Sequence, residues 1–235
     1  MNLKGKVALV TGASDGLGRM VALKLAEKGV SLALIARREK ELSEVAKEAQ
    51  KAGPKKVVIY PCDLRDSAKM KETVQKVVSD FEGINILLNI AGIWQKLGFL
   101  EDTPEEVIDE VLDINLKALI KITRLVIPHL KEQKDAAIIN VSSRSGVTAQ
   151  GGQSVYTASK WGVTGFSEVL KEDLKENGIR VATIHQGGVD TEMFRKTGEH
   201  FDQNKFIPPE ELANVIVFML SRPERIWVHD ARVEY

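Results

Sequence analysis

The chain has 235 residues, 43% hydrophobic and 28% charged, enough for one α/β domain with a sizeable core. Lysine plus arginine and aspartate plus glutamate each number 33, and this zero net charge argues against nucleic-acid or anionic-membrane binding. One cysteine, Cys62, excludes an internal disulfide. With no apolar run of ~18 residues and no signal-peptide core at the N-terminus, the expected location is cytoplasmic.

Lys6 to Val10 reads as a short buried strand, and the turn Thr11-Gly12-Ala13-Ser14-Asp15-Gly16-Leu17-Gly18 follows it directly. A helix is predicted from Arg19 to Lys28. Strand, glycine-rich turn and helix in that order make a phosphate site, because backbone N–H groups and the helix dipole point at the turn. Gly12 permits the tight turn, Gly16 the close approach of a pyrophosphate, and Gly18 the packing of helix on strand. The spacing Gly-x-x-x-Gly-x-Gly differs from the commoner Gly-x-Gly-x-x-Gly.

Strand and helix then alternate. Ser31–Ala36 is a buried strand, and Glu39–Ala52 a helix with one apolar stripe that Gly53-Pro54 ends. Lys56–Pro61 and Ile84–Asn89 read as strands around a helix from Ser67 to Phe81. Thr103 is expected to cap a long helix running to Leu130, with Pro104 at its first position and Glu106 three residues after the cap. Ala136–Ser142 is a strand, Tyr156–Asn177 a helix stopped by Gly178, and Arg180–Gln186 a strand. A helix from Pro208 to Ser221 and a strand from Ile226 to Val233 complete the pattern. It predicts a Rossmann-type doubly wound, mostly parallel seven-stranded sheet flanked by helices, a single domain over residues 1–235. Gly12, Arg37, Asp63, Asn89, Ser143 and Gly187 then fall together at the C-terminal ends of strands, where such sheets bind ligands.

Tyr156 and Lys160 stand four apart at the start of a predicted helix, which puts ammonium and phenol on one face. A phenol ionises near pH ~10; a neighbouring cation lowers that value and makes a general acid and base.

With these residues in hand, the chain resembles the short-chain dehydrogenase/reductase family from about Lys4 to about Met193. The resemblance rests on Thr11-Gly12-x-x-x-Gly16-x-Gly18, Asn89-x-Ala91-Gly92, Asn115, Ser143 and Tyr156-x-x-x-Lys160, in the family's order and spacing. It implies hydride transfer between a nicotinamide and a carbonyl or alcohol carbon. Tyr156 would protonate the carbonyl oxygen, Ser143 would donate a hydrogen bond to it, and Lys160 would lower the tyrosine pKa and bond the nicotinamide ribose. Asn115 would hold a water linking Lys160 to solvent, with a local distortion of its helix. For the dinucleotide, the resemblance implies contacts from Ser14, Asp15 and Leu17 beside the glycines, and from Asp63 and Leu64 at the adenine. Asn89 (partly structural), Ala91 and Gly92 would line the adenosine side, and Gly187, Val189 and Thr191 the nicotinamide. His185-Gln186 stands where relatives usually show Asn-Pro.

Dinucleotide sheets that bind NAD normally place an acidic residue after the second strand; here Arg37 and Arg38 stand there, and a guanidinium attracts a 2′-phosphate. NADP(H) is therefore expected over NAD(H), although Asp15 occupies a position that is often basic in NADP-preferring relatives. Residues 192–209 are expected to cover the substrate, with Met193, Phe194, Phe201 and Phe206 as apolar wall. Trp94, Ser143, Ser145, Gln150 and Gly152 should face the same pocket. His185 and His200 are expected to be structural, and no metal site is expected. The partner is a small carbonyl or alcohol, and a homodimer or homotetramer through the long helices is expected. A 3-oxoacyl-(acyl-carrier-protein) reductase is the alternative, and a non-catalytic nucleotide sensor is the alternative from another class.

Overall fold

A computed structural model describes residues 1–235 apart from His200 and Glu224, with Gln203 described by its backbone alone. Seven strands are β1 (Val7–Thr11), β2 (Ser31–Ala36), β3 (Val57–Pro61), β4 (Ile86–Asn89), β5 (Ala137–Val141), β6 (Arg180–Gln186) and β7 (Asp230–Val233). All pair in parallel, in the order β3-β2-β1-β4-β5-β6-β7. The order reverses between β1 and β4, which opens a crevice at their C-terminal ends.

Central strands are buried at nearly every position and mostly apolar, because both faces of the sheet are covered. Ala8 and Val10 of β1 and Ile86 and Leu88 of β4 pack against helices α1 (Gly16–Glu27), α2 (Glu39–Lys51) and α8 (Pro209–Leu220). Leu9 and Leu87 face the other way, onto α3 (Ser67–Phe81), α5 (Ala118–Lys131) and α6 (Ser154–Leu174). Each buried leucine or isoleucine contributes roughly 1.5–3 kcal/mol.

Several boundaries differ from the sequence expectation. Helix α1 starts at Gly16, not Arg19, because Asp15 is extended and its carboxylate takes the Gly16 N–H at 2.8 Å. Gly16 and Gly18 therefore lie in the helix's first turn, and Gly12 precedes it. Thr103 does not cap the next helix: its hydroxyl donates back to Phe99 O at 3.0 Å, and α4 (Glu105–Leu112) starts after Pro104. The long helix from there is interrupted, since residues Asp113–Lys117 form a π turn before α5. Helix α6 begins at Ser154, two residues before Tyr156, and ends at Leu174, followed by a 3-10 turn and the left-handed Gly178. Strand β7 spans four residues instead of eight. One short helix, α7 (Glu192–Arg195), lies in the segment after β6. Among the described residues no helix is long and apolar enough to cross a membrane.

Candidate active site

Thr11 ends β1, and its hydroxyl accepts from Ile90 N (3.0 Å) and Ala91 N (3.2 Å) while donating to Leu88 O (3.2 Å). This ties the glycine turn to the end of β4 across the switch point. Gly12 has φ +69°, and a Cβ there would sit 2.8 Å from Ala91 Cα; one at Gly18 would sit 2.2 Å from Gly12 O. Both positions require glycine, as the sequence predicts.

The turn opens onto a cleft of about 740 Å³ lined by Gly12, Ser14, Asp15, Gly16, Leu17 and Gly18. Arg37 and Arg38 after β2, Asp63 and Leu64 after β3, and Ala91 and Gly92 after β4 line the same cleft, as do Gly187, Val189 and Thr191 after β6. A glycine-rich turn, a helix N-terminus and two guanidiniums at one end fit a dinucleotide. Asn89 is the exception. It does not line the cleft, because its Nδ2 donates to Thr123 Oγ1 (2.9 Å) and Asn140 Oδ1 (2.8 Å) beneath the sheet edge.

Polar contacts at this end are already dense. Arg38 donates to Ser14 Oγ (3.3 Å) and pairs with Asp15 (3.1 Å) and Glu41 (3.3 Å). Asp15 also pairs with Lys196 at 3.1 Å. Burial works against the Asp15 carboxylate, yet Lys196, the Gly16 N–H and Arg38 hold its pKa below the ordinary value. Arg65 grips Asp63 at 2.7 Å and keeps that carboxylate ionised.

The four residues expected to carry the chemistry lie at the end of β5 (Ser143), on α6 (Tyr156 and Lys160) and at the π turn (Asn115). Ser143 and Tyr156 line the cleft, and Lys160 and Asn115 are buried behind them. The Tyr156 backbone N–H is taken by Gln95 Oε1 at 2.9 Å, and Ser159 Oγ donates to Tyr156 O at 2.7 Å, which fixes the first turn of α6. Ser143 Oγ accepts from Ser145 N at 3.1 Å. Lys160 Nζ donates to Val141 O at 3.1 Å and stands 5.7 Å from the Tyr156 ring centre. Asn115, at the π turn, accepts from Ile93 N (2.8 Å) and donates to Ile93 O (3.0 Å) and Ser159 Oγ (3.3 Å). Its side chain thus holds the wall of the cleft rather than Lys160.

The electrostatics correct one expectation. Burial pushes the Tyr156 phenol up to about 12, only partly opposed by the Ser143 hydroxyl, and pushes Lys160 down to about 8. Desolvation of two enclosed groups outweighs the attraction between a cation and a phenol that do not touch. Stability should follow the same effect. Lys160 titrates near 8 in the fold and near its ordinary 10.5 in the unfolded chain, so the unfolded chain binds more protons between those values. Stability therefore rises with pH across that window, while Tyr156 acts oppositely above pH 10. A Lys160→Met variant carries no buried ammonium, so its Tm advantage over the wild type should shrink from pH 7 to about 10. Parallel Tm curves by calorimetry would contradict the assignment.

Of the residues expected to face the substrate, Trp94, Ser145, Gln150 and Met193 line the cleft; Gly152 does not, and its carbonyl accepts from Gly98 N at 2.9 Å. Phe194, Phe201 and Phe206 line it too, with Trp94 edge-on to Tyr156 at 4.6 Å and to Phe194 at 5.0 Å. Buried His185 faces Asp230 at 3.5 Å and does not line the cleft; His200 lies outside the described residues. Among the described residues no group of three or more His, Cys, Asp or Glu could hold a metal. Sequence reasoning missed Gln95 and Gln153, both buried and both positioning: Gln153 accepts from Ser145 Oγ at 2.9 Å and donates to Gln150 at 2.8 Å. No local pattern marks either one. It also missed what Lys196 and Glu199 touch.

A family model described as short chain dehydrogenase matches residues 6–202. The 3-oxoacyl-(acyl-carrier-protein) reductase of Thermotoga maritima is 35% identical over 229 residues, covering 94% of this chain and 92% of that protein. The alcohol dehydrogenase of the archaeon Thermococcus sibiricus, solved in complex with 5-hydroxy-NADP, superposes with a TM-score of 0.90 at 25% identity, over 97% of this chain and 96% of that one. A levodione reductase structure gives a TM-score of 0.90 at 27% identity, over 98% and 96% of the two chains.

Proposed function

The chain belongs to the short chain dehydrogenase family, and we propose that within it the protein is an NADP(H)-dependent oxidoreductase interconverting a small carbonyl compound and its secondary alcohol. The observation that carries this reading is the Tyr156 phenol, buried beside Ser143 and opening onto the cleft that also holds the glycine turn. A bound nicotinamide supplies or accepts the hydride. Tyr156, neutral at physiological pH, gives its proton to the substrate oxygen in the reducing direction, and Ser143 donates a hydrogen bond to the same oxygen. Such an oriented donor is worth roughly 3–4 kcal/mol of barrier. Lys160 carries charge behind the phenol and resupplies the proton, while Asn115 at the π turn fixes Ile93 and Ser159 beside it. The direct test is loss of NADPH absorbance across a panel of aldehydes and ketones; a panel with no turnover overturns the reading.

Preference for NADP(H) rests on Arg37 and Arg38 lining the cleft after β2. A guanidinium on a 2′-phosphate contributes about 1–2 kcal/mol net in an exposed, screened site, or ten-fold or more in affinity. Asp15 works against it, since its carboxylate already engages Arg38. Arg37→Ala should therefore lower kcat/KM for NADPH about ten-fold with little effect on NADH, and Asp15→Asn should raise the NADPH/NADH ratio several-fold. Equal kcat/KM for the two cofactors in the wild type would refute the preference.

Reduction of 3-oxoacyl groups on a carrier protein is favoured by the Thermotoga maritima relative. Such a partner needs a basic docking patch at the cleft mouth. Here residues 97–116, between Lys96 and Lys117, include Glu101, Asp102, Glu105, Glu106 and Asp109 and no lysine or arginine, and the cleft-lining Arg144 and Lys196 each pair with a carboxylate, Glu234 and Asp15. A free small carbonyl is the better fit. Self-association is part of the same reading: Trp161 and Val169, eight residues apart on α6, are 50% and 61% exposed, and the mass in solution by light scattering would report it.

A further inference from the structure

Glu199 does not line the cleft, yet it joins two of its walls. Its carboxylate accepts from the Trp94 indole N–H and from Leu97 N (2.8 Å), both in the segment that follows β4. The next residue, Gly98, donates to Gly152 O at 2.9 Å, which brings in the wall before α6. Three segments meet there: 93–98, 150–153 and the stretch after β6 that carries α7. Beneath that junction lies a set of rings. Phe194 packs on Phe201 at 5.1 Å and on Phe206 at 5.2 Å, and Trp94 bridges Phe194 to Tyr156. The chamber thus has aromatic walls, an amide floor of Gln150 and Gln153, and one hydroxyl pair, Tyr156 and Ser143, at its reactive end.

We propose that Glu199 is a specificity-determining clasp, which locks the α7 segment onto Trp94 and Leu97 and so selects compact, ring-bearing carbonyls over carbonyls carried on long thioester arms. The inference rests on the carbonyl-reductase reading of the cleft. Edge-to-face aromatic walls reward a flat apolar ring. Parting the three segments to admit a flexible arm beside Trp94 and Leu97 breaks two hydrogen bonds to a charged acceptor. Trp94 itself is aimed by the clasp, so the wall against Tyr156 depends on a residue outside the cleft. A carboxylate suits this role because it accepts from both donors at once, whereas a glutamine amide offers one acceptor oxygen.

The experiment compares wild type, Glu199→Gln and Glu199→Ala with NADPH, using acetophenone and cyclohexanone as ring ketones and acetoacetyl-CoA as the long-armed 3-oxo thioester. The wild type should favour the ring ketones. Glu199→Ala should raise KM for them about ten-fold with kcat changed less than about two-fold, and leave or improve kcat/KM for acetoacetyl-CoA. Glu199→Gln should lie between. An unchanged ring-to-thioester ratio in Glu199→Ala overturns the clasp. Limited trypsin digestion gives a readout that needs no turnover: cleavage at Arg195, Lys196 and Lys205 should be about ten-fold faster in Glu199→Ala, and an unchanged rate also overturns it. Absence of any ketone turnover by the wild type, with trypsin protection intact, would instead remove the carbonyl-reductase reading and keep the clasp.

Discussion

Replacing Tyr156 with phenylalanine is expected to lower kcat by ~10²–10⁴ while NADPH still binds, because the change removes one transferable proton and leaves the ring. The ring matters to the packing: it meets Trp94 at 4.6 Å and is almost wholly buried, so a smaller residue would confuse loss of chemistry with loss of the wall. With burial holding the phenol near 12, the group is a proton donor at neutral pH and a poor base there. Alcohol oxidation, which needs the phenolate, should therefore quicken as pH rises. Stopped-flow turnover beside fluorescence titration of NADPH separates the two effects. A variant that keeps full turnover would remove the acid assignment, and one that loses NADPH binding would make the residue structural.

Gly18→Ala should abolish measurable dinucleotide binding and lower Tm by several degrees. The added carbon would lie 2.2 Å from Gly12 O and 2.7 Å from Gly12 C, both backbone atoms of the turn itself. No side chain there is able to rotate away. The turn must open, which costs roughly 1–3 kcal/mol as overpacking and, for a chain of this size, about 2–4 °C per kcal/mol. Affinity suffers more, because the same movement displaces the first turn of α1 from the cleft. Calorimetric titration with NADPH at a temperature below the variant's Tm checks this; retention of wild-type affinity would mean the turn is not the phosphate cradle.

The parallel sheet, the glycine turn and the Tyr156-x-x-x-Lys160 pair were legible because each is written in contiguous sequence. Strand runs such as SLALIA and the four-residue spacing on one helix depend on backbone geometry alone. Helix starts were less legible. Asp15 moved α1 three residues earlier by capping it, and Thr103 turned its hydroxyl back to Phe99 instead of forward. The distortion expected at Asn115 is present as the π turn, but the side chain goes to Ile93 and Ser159.

What the amino-acid order determined by itself was the architecture, the family and the residues that gather at the sheet's C-terminal edge, since local periodicity and right-handed crossovers leave few other outcomes. Tertiary structure alone decided that Gln95 holds Tyr156, that Asp15 joins Arg38 to Lys196, and that Glu199 reaches Trp94, partners 61, 23, 181 and 105 residues apart. It also decided the sign of the tyrosine shift. Spacing along a helix reports which groups are neighbours, but the free energy of a buried charge depends on how completely the rest of the chain excludes water from it.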